Sequence, residues 1–122
     1  MRRIRSKDTI PELKVRRLAH SMGYRYRLHY TGLPGKPDLV FQKKRKVIFV
    51  HGCFWHQHTD CVDGKVPASN RSYWEPKLRW NVERDAKAQS QLRRDGWDVL
   101  VVWECETKNA QCLAETLKKF LD

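Results

Sequence analysis

The chain has 122 residues, and we expect a single domain over residues 1–122 that is large enough to bury a core. It carries 25 Lys and Arg against 14 Asp and Glu, a formal net charge of +11, and its pI near 9.8 favours a polyanionic partner. No apolar run approaches the roughly 18–20 residues of a membrane span, and no apolar segment follows the N-terminal arginines, so we expect a cytoplasmic protein with neither a membrane anchor nor a secretion signal.

The first half of the chain predicts a helix followed by three strands. Thr9 and Glu12 have the form of a capping box, and apolar residues at roughly helical spacing continue from there to Gly23. Alternating and then continuous apolar residues follow, with turn residues between them. The last of these runs is almost wholly apolar, so we expect both of its faces to be buried. The predicted elements are a helix over about 10–22 and strands over 24–30, 38–42 and 47–51.

The second half predicts a loop, a long basic helix, a strand and a closing helix. Cys112, in the closing helix, resembles a small buried apolar residue. Helices alternating with Val-rich strands predict an α/β fold with a mixed central sheet flanked by helices. The crossover through the long helix predicts a parallel third and fourth strand. The predicted elements are a loop over 52–71, a helix over 74–94, a buried strand over 97–103 and a helix over 109–121.

Residues 47–61, VIFVHGCFWHQHTDC, contain more metal-binding, acid–base and aromatic side chains than any other segment of this length in the chain. Three histidines, two cysteines and two adjacent aromatic residues follow or end an apolar strand. Metal-binding, acid–base and base-stacking groups seldom share so short a segment without a function. On a protein with this basic excess, they indicate a site that acts on nucleic acid.

The cysteines of a cytoplasmic protein are expected to be thiols or metal ligands. Cys53, Cys61 and one histidine between them supply three zinc ligands, and Cys105, which follows the last predicted strand, is the candidate for the fourth. The spacing leaves open whether the histidine is His56 or His58. The alternative is a set of unrelated thiols and histidines.

A second group of residues predicts hydrolytic chemistry. Asp38 opens one strand of a predicted hairpin, so its carboxylate is expected near the end of the other strand, where it and main-chain oxygens suit Mg²⁺. His51 and His56, unless they bind zinc, are the natural acid–base pair, and Glu12 is placed to orient one of them. Each has a plainer alternative: Asp38 as a turn residue, Glu12 as a capping acid and His51 as a core histidine.

Phe54 and Trp55 form a large aromatic pair within the polar loop, and Tyr73-Trp74 begins the basic helix. Such residues either pack in the core or insert between base pairs, which unstacks and bends a duplex. Their position beside the histidines of a basic protein favours the second role, in which they act as a wedge between base pairs.

Six segments, in chain order, resemble the very-short-patch repair (Vsr) endonucleases, bacterial enzymes that nick DNA at T:G mismatches: RIRSKDTIPE, LPGKPDLVF, KVIFVHGCFWHQHTDC, YWEPK, NVERD and GWDVLVVWEC. The resemblance runs from about Arg3 to Cys105. It implies a restriction-endonuclease-like fold with a structural zinc loop, catalytic Mg²⁺, and double-stranded DNA with a T:G mispair as substrate. It also implies a monomer of the bacterial nucleoid, with mismatch-repair proteins as partners.

The resemblance implies catalytic roles for residues of the first half. Asp38 would bind Mg²⁺, helped by the main-chain carbonyl of Val50. His56 would be the general base that activates water, with Glu12 supporting it, and His51 would lie near the scissile phosphate.

Zinc and DNA ligands are implied by the same resemblance. The zinc ligands would be Cys53, His58, Cys61 and Cys105. The DNA contacts would be three wedging aromatic residues and two polar residues near the mispair, namely Phe54, Trp55, Trp74, Lys77 and Asn81.

This sequence differs from the family pattern at three places. Val50 stands where some members have threonine. The gap between His58 and Cys61 is one residue longer than in some relatives, which makes Asp60 a competing ligand. The segment before Thr9 is short, so we expect a reduced N-terminal arm.

The expected function is nicking of one strand 5′ to the thymine of a T:G mispair, the product of 5-methylcytosine deamination. The first alternative is a nicking endonuclease of a restriction system or mobile element that acts on matched or modified DNA. The second is a zinc-bearing DNA-binding module without catalysis, against which the retained acidic residues and histidines count.

Overall fold

The computed structural model describes residues 10–28, 32–53 and 71–122, and the structural statements below refer to those ranges. They contain three α-helices, four strands and one 3₁₀ helix. In chain order the elements are α1 (Ile10–Ser21), β1 (Arg27–Leu28), β2 (Leu39–Phe41), β3 (Lys46–His51), α2 (Arg71–Arg94), β4 (Asp98–Trp103), the 3₁₀ helix (Glu104–Lys108) and α3 (Ala110–Leu121).

The four strands form one mixed sheet in the order β1-β2-β3-β4. β2 pairs antiparallel with both β1 and β3, as a hairpin requires. β3 and β4 are parallel along their whole length, from Lys46 opposite Asp98 to His51 opposite Trp103. The predicted mixed sheet and the predicted parallel crossover are therefore both confirmed.

Helices cover both faces of the sheet because the inner strands are apolar on both sides. On one face, Leu39, Phe41 and Ile48 pack with residues of α1 and α3. On the other face, Val40, Val47 and Phe49 pack with Leu92 of α2. Successive residues of a strand point to opposite faces, so a continuous apolar run fills two cores at once.

Two burial predictions for the C-terminal part are wrong. β4 is mostly half-buried, with Val102 alone among its residues fully buried, because it forms the edge of the described sheet. Cys112 is exposed, since the apolar stripe of α3 consists of Leu113, Leu117 and Leu121 and points Cys112 away from the core.

The helix boundaries differ slightly from the predicted ones. α2 begins at Arg71 rather than Trp74, and Pro76 therefore lies inside the helix, where it supplies no amide hydrogen. Asn109 caps α3 by accepting a hydrogen bond from the amide of Cys112 at 3.0 Å. Thr9 of the predicted capping box lies outside the described residues. None of the described helices is both long and apolar enough to cross a membrane.

Replacing Gly35 with alanine is expected to destabilise the fold by about 3 kcal/mol. Gly35 has a φ of +74°, and an added Cβ would lie 2.8 Å from the Cβ of Ala88 and 3.2 Å from the ring of Phe49. The new methyl group would therefore push α2 away from β3, in addition to the backbone strain. Urea unfolding measures the loss.

Gly23→Ala is the matched control for this prediction. Gly23 also has a positive φ, +89°, but an added Cβ would meet nothing within 4 Å. Its replacement should cost only the strain, about 1 kcal/mol. Equal losses at the two positions would show that the close approach of α2 to Gly35 contributes nothing.

Candidate active site and metal ligands

The candidate site lies at the carboxyl end of β3. β2 starts where the antiparallel β3 ends, and the parallel β4 ends there too, so three strands bring their polar residues together at this end of the sheet. Glu12 of α1 lies against the same end of the sheet. The residues concerned are Glu12, Asp38, Val50, His51, Cys53 and Cys105.

Asp38 is held against β3 by two main-chain hydrogen bonds. The amide of Val50 donates to Oδ2 of Asp38 at 2.7 Å. The amide of Asp38 donates to the carbonyl of Ile48 at 3.1 Å. The hairpin pattern predicted this proximity, and the two bonds orient the carboxylate beside the main chain of Val50.

Glu12 forms a carboxyl pair with Asp38. Its side chain is 2% exposed, and it hydrogen bonds to Asp38. Burial raises the pKa of Asp38 from 3.8 to about 7, the amide of Val50 opposes the rise, and the charge and hydrogen bond of Glu12 add to it. At neutral pH Asp38 is therefore about half protonated, whereas an isolated aspartate is ionised.

Arg16 was missed as a site residue. Its Nη1 lies 3.4 Å from Oε2 of Glu12, one helical turn away, and the Arg16 carbonyl accepts a hydrogen bond from the hydroxyl of Tyr26 at 3.0 Å. The guanidinium therefore braces the carboxylate that faces Asp38. Oppositely charged residues four positions apart on a helix commonly form an ion pair, so the spacing of Glu12 and Arg16 could have predicted this contact.

The donors at this site fit a hard divalent cation. Two carboxyl groups that share a buried position and compete for a proton can instead share a cation. The predicted neutral donor is the main-chain carbonyl of Val50, the residue whose amide donates to Asp38. Within residues 10–28, 32–53 and 71–122, no three His, Cys, Asp or Glu side chains form a metal-binding group. The described donors are thus two side chains and the main chain.

His51 ends β3 between two aromatic rings. Its ring centroid lies 5.6 Å from that of Phe49 and 5.3 Å from that of Trp103, the latter in an edge-on arrangement. The side chain is 4% exposed. These contacts fix the orientation of the imidazole at the same strand end that carries Val50.

Two of the four implied zinc ligands are described. Cys53 and Cys105 each stand two residues beyond the paired residues His51 and Trp103, so they follow the ends of adjacent parallel strands. Cys53 is buried, and Cys105 is half-buried beside a recess that exposed Cys112 also lines. Two thiols at neighbouring strand ends fit half of a tetrahedral zinc site.

Several predicted residues lie outside the described residues. They include the general base, two zinc ligands and two wedge aromatics, namely Phe54, Trp55, His56, His58 and Cys61.

The three described DNA-contact candidates are on α2 and differ in exposure. Lys77 is exposed, whereas Trp74 and Asn81 are half-buried on the side of the helix that also carries Leu78 and Leu92. The ring of Tyr73 lies edge-on to Trp74 at 5.1 Å. Trp74 and Asn81 therefore face the body of the protein, and Lys77 projects from it.

Comparisons with known proteins show the family of this chain. The family model described as DNA mismatch endonuclease Vsr matches residues 1–63. The type II nicking enzyme V.XorIIP of Xanthomonas oryzae pv. oryzae is 49% identical over 122 residues, which cover 100% of this chain and 89% of that protein. DNA mismatch endonuclease Vsr of Escherichia coli is 43% identical over 115 residues, which cover 94% of this chain and 73% of that protein.

A solved structure shares the fold. The catalytic domain of the homing endonuclease I-Bth0305I superposes with a TM-score of 0.64, and the match covers 93% of this chain and 94% of that domain. At 19% sequence identity the likeness concerns the fold alone. The mixed sheet with helices on both faces is thus an architecture that a DNA-cleaving domain also has.

Proposed function

This chain belongs to the Vsr family of DNA mismatch endonucleases, and we propose that it nicks one strand of a duplex 5′ to the thymine of a T:G mispair. Its family makes it a DNA-cleaving hydrolase. The observation that carries the proposal is the pair formed by Asp38 and Glu12 beside Val50 at the end of β3. A buried carboxyl pair on a protein of charge +11 suits a cation-assisted reaction on a polyanion.

The proposed reaction is hydrolysis of a phosphodiester. His56 removes a proton from the attacking water, the water oxygen bonds to phosphorus, the bond from phosphorus to the 3′-oxygen breaks, and the leaving 3′-oxygen takes a proton from solvent water. Glu12 supports His56, and His51 faces the scissile phosphate. Asp38 and the Val50 carbonyl would hold Mg²⁺, which would stabilise the charge that develops on the phosphate oxygens. The amide of Val50 orients Asp38 by a hydrogen bond, and the guanidinium of Arg16 orients Glu12.

Zinc is the second proposed metal. Cys53 and Cys105, at adjacent strand ends, would bind it with His58 and Cys61. The ion would hold the segment between β3 and α2, which carries Phe54, Trp55 and His56, close to Asp38. With Trp74, those aromatics would insert beside the mispair, whose weaker stacking lowers the cost of opening it.

The remaining proposals concern the cellular setting. We propose that the protein acts as a monomer on the nucleoid of a bacterium and that mismatch-repair proteins process the nick. The bacterial sources of its relatives support this setting.

A second candidate function is supported by the names of two relatives. Both the Xanthomonas protein and its counterpart in Neisseria meningitidis, 43% identical over 121 residues, are type II nicking enzymes. Nicking within a restriction system, on matched or modified DNA, is therefore the alternative.

A nicking assay separates the two functions. With Mg²⁺ present, we expect the T:G duplex to be nicked about a hundredfold or more faster than the same duplex with a matched C:G pair, because only the mispair opens easily for the wedge. The assay follows both strands on a denaturing gel. Equal rates on the two duplexes would instead support the restriction-system function.

The same assay tests the proposed general base, His56. His56→Ala should lower the single-turnover rate by about a hundredfold or more, whereas His20→Ala, an exposed histidine on α1, should leave it unchanged. A His56→Ala protein that nicks at the wild-type rate would remove that residue from the mechanism.

A further inference from the structure

One exposed face of α2 carries two aromatic residues, three basic residues and a glutamine. They recur at steps of four and three positions and so fall within an arc of roughly 80° on a helix that turns about 100° per residue. Every one of them is exposed. We call this face the α2 stripe, and its members are Tyr73, Lys77, Trp80, Arg84, Lys87 and Gln91.

The aromatic members of the stripe are large rings left in solvent. Tyr73 is 59% exposed and Trp80 is 60% exposed. Each is covered on one side by a cation one turn later: Lys77 Nζ lies 5.0 Å from the Tyr73 ring centre, and Arg84 Cζ lies 4.7 Å from that of Trp80. Exposed aromatic rings aligned with cations are typical of interfaces with nucleic acids.

The acidic residues of α2 lie off the stripe. Glu75, Glu83 and Asp85 all project at least about 80° from its centre. Asp85 lies 3.9 Å from Arg84, but the Arg84 side chain is 51% exposed, so this surface pair is weak. The stripe therefore carries three cations and no acidic residue, and it is complementary to a polyanion.

The stripe leads away from the candidate active site. Leu92, near the end of α2, packs with Val47 at the start of β3, so α2 runs back along β3 from its carboxyl end. From Tyr73 to Gln91 the helix rises about 27 Å, the length of about eight base pairs of duplex.

We propose that the α2 stripe binds the sugar–phosphate backbone of the DNA arm that flanks the mispair. Arg84 and Lys87 contact phosphates, and Trp80 packs against the backbone one helical turn before Arg84. The stripe thereby extends the DNA footprint beyond Lys77 and holds the duplex in register with Asp38. The proposal rests on the proposed function, since it takes DNA as the substrate.

Salt-dependent binding tests the basic part of the stripe. Fluorescence anisotropy with labelled duplexes, in the absence of divalent cations, should show that Arg84→Ala/Lys87→Ala weakens binding about tenfold and lowers the slope of log K against log salt by about 2. The matched control is Arg79→Ala/Arg93→Ala, which removes two exposed cations from the opposite side of the same helix. The control should lose little affinity.

Trp80 is tested in the same assay. Trp80→Ala should weaken binding about fivefold to tenfold, and Trp80→Phe should retain most of the affinity. Val82→Ala, which shortens an exposed apolar side chain on the far side of α2, should have no effect. Circular dichroism checks that every variant is folded.

Duplex length locates the contact. When the arm on one side of the mispair is cut to about four base pairs, wild type and the Arg84→Ala/Lys87→Ala variant should bind alike, whereas cutting the other arm should leave their difference intact. Equal losses for stripe and control variants, or unchanged binding on every duplex, would overturn the proposal. A stripe effect of equal size on T:G and matched duplexes is expected for backbone contacts, whereas equal binding of the two duplexes by the wild type would count against mispair specificity and leave the stripe proposal intact.

Discussion

Replacing Asp38 with asparagine is expected to lower the nicking rate on a T:G duplex by about a thousandfold or more. An amide lacks the charge that holds Mg²⁺, but its oxygen can still accept the hydrogen bond from the amide of Val50, so the fold should persist. Single-turnover nicking across a Mg²⁺ titration measures the effect. The rate should stay low at every Mg²⁺ concentration.

The same replacement is expected to stabilise the protein at about pH 8 when no Mg²⁺ is added. Burial raises the pKa of folded Asp38 to about 7 from 3.8, so the folded chain keeps a proton that the unfolded chain releases. Stability therefore falls as the pH rises from about 4 to about 7, and the charged carboxylate opposes folding above that range. Asparagine removes a penalty of about 2–4 kcal/mol at about pH 8 and of almost nothing near pH 4.

Urea unfolding at several pH values tests this expectation. The control is Asp98→Asn, an exposed aspartate at the start of β4, whose replacement should leave nicking unchanged and alter the free energy of unfolding at about pH 8 by less than about 0.5 kcal/mol. An Asp38→Asn protein that is no more stable than wild type at about pH 8 would contradict the burial penalty. One that nicks normally would exclude Asp38 from the proposed chemistry.

Replacing Cys105 with serine is expected to abolish stable zinc binding and to lower the free energy of unfolding by about 3 kcal/mol or more. Serine lacks the thiolate that zinc prefers, and three remaining ligands leave an open site. Elemental analysis of the purified protein and urea unfolding give the two readouts. Nicking should fall with them, because the segment with His56 loses its anchor.

Cys112→Ser provides a close control. Cys112 lines the same recess as Cys105 but is exposed on α3. Its replacement should leave zinc content unchanged and alter stability by less than about 0.5 kcal/mol. If the two variants retain equal zinc, Cys105 is not a ligand, and the metal proposal for the strand ends fails.

The parts of the site that follow from local pattern could be predicted from the sequence. Asp38 lies beside Val50 because a short turn between two apolar runs leaves a hairpin little freedom of register. The parallel pairing of β3 and β4 follows from the helix between them. Six matching segments identified the family, because they preserve the order and spacing of its motifs.

Features that depend on which elements become neighbours could not be predicted. The half-buried state of β4 depends on its place at the sheet edge, and its apolar sequence is the same in either case. The pKa of Asp38 is raised by burial and by Glu12, which α1 places against it although the two residues are 26 positions apart in the sequence. Local sequence pattern does not predict a contact over that separation. The outward direction of Trp80 likewise emerges only when Leu78 and Leu92 turn the other side of α2 inward.

The register of β3 and β4 has a consequence for how the chain folds. Their paired residues are about fifty positions apart, whereas those of β2 and β3 are separated by a short turn. The hairpin that carries Asp38 and Val50 can therefore form rapidly, but β4 joins only after a long loop has closed, and that search slows folding. The site residues of the hairpin are thus brought together early, and Cys105 reaches its position after the end of β4 only when the long-range pairing has formed.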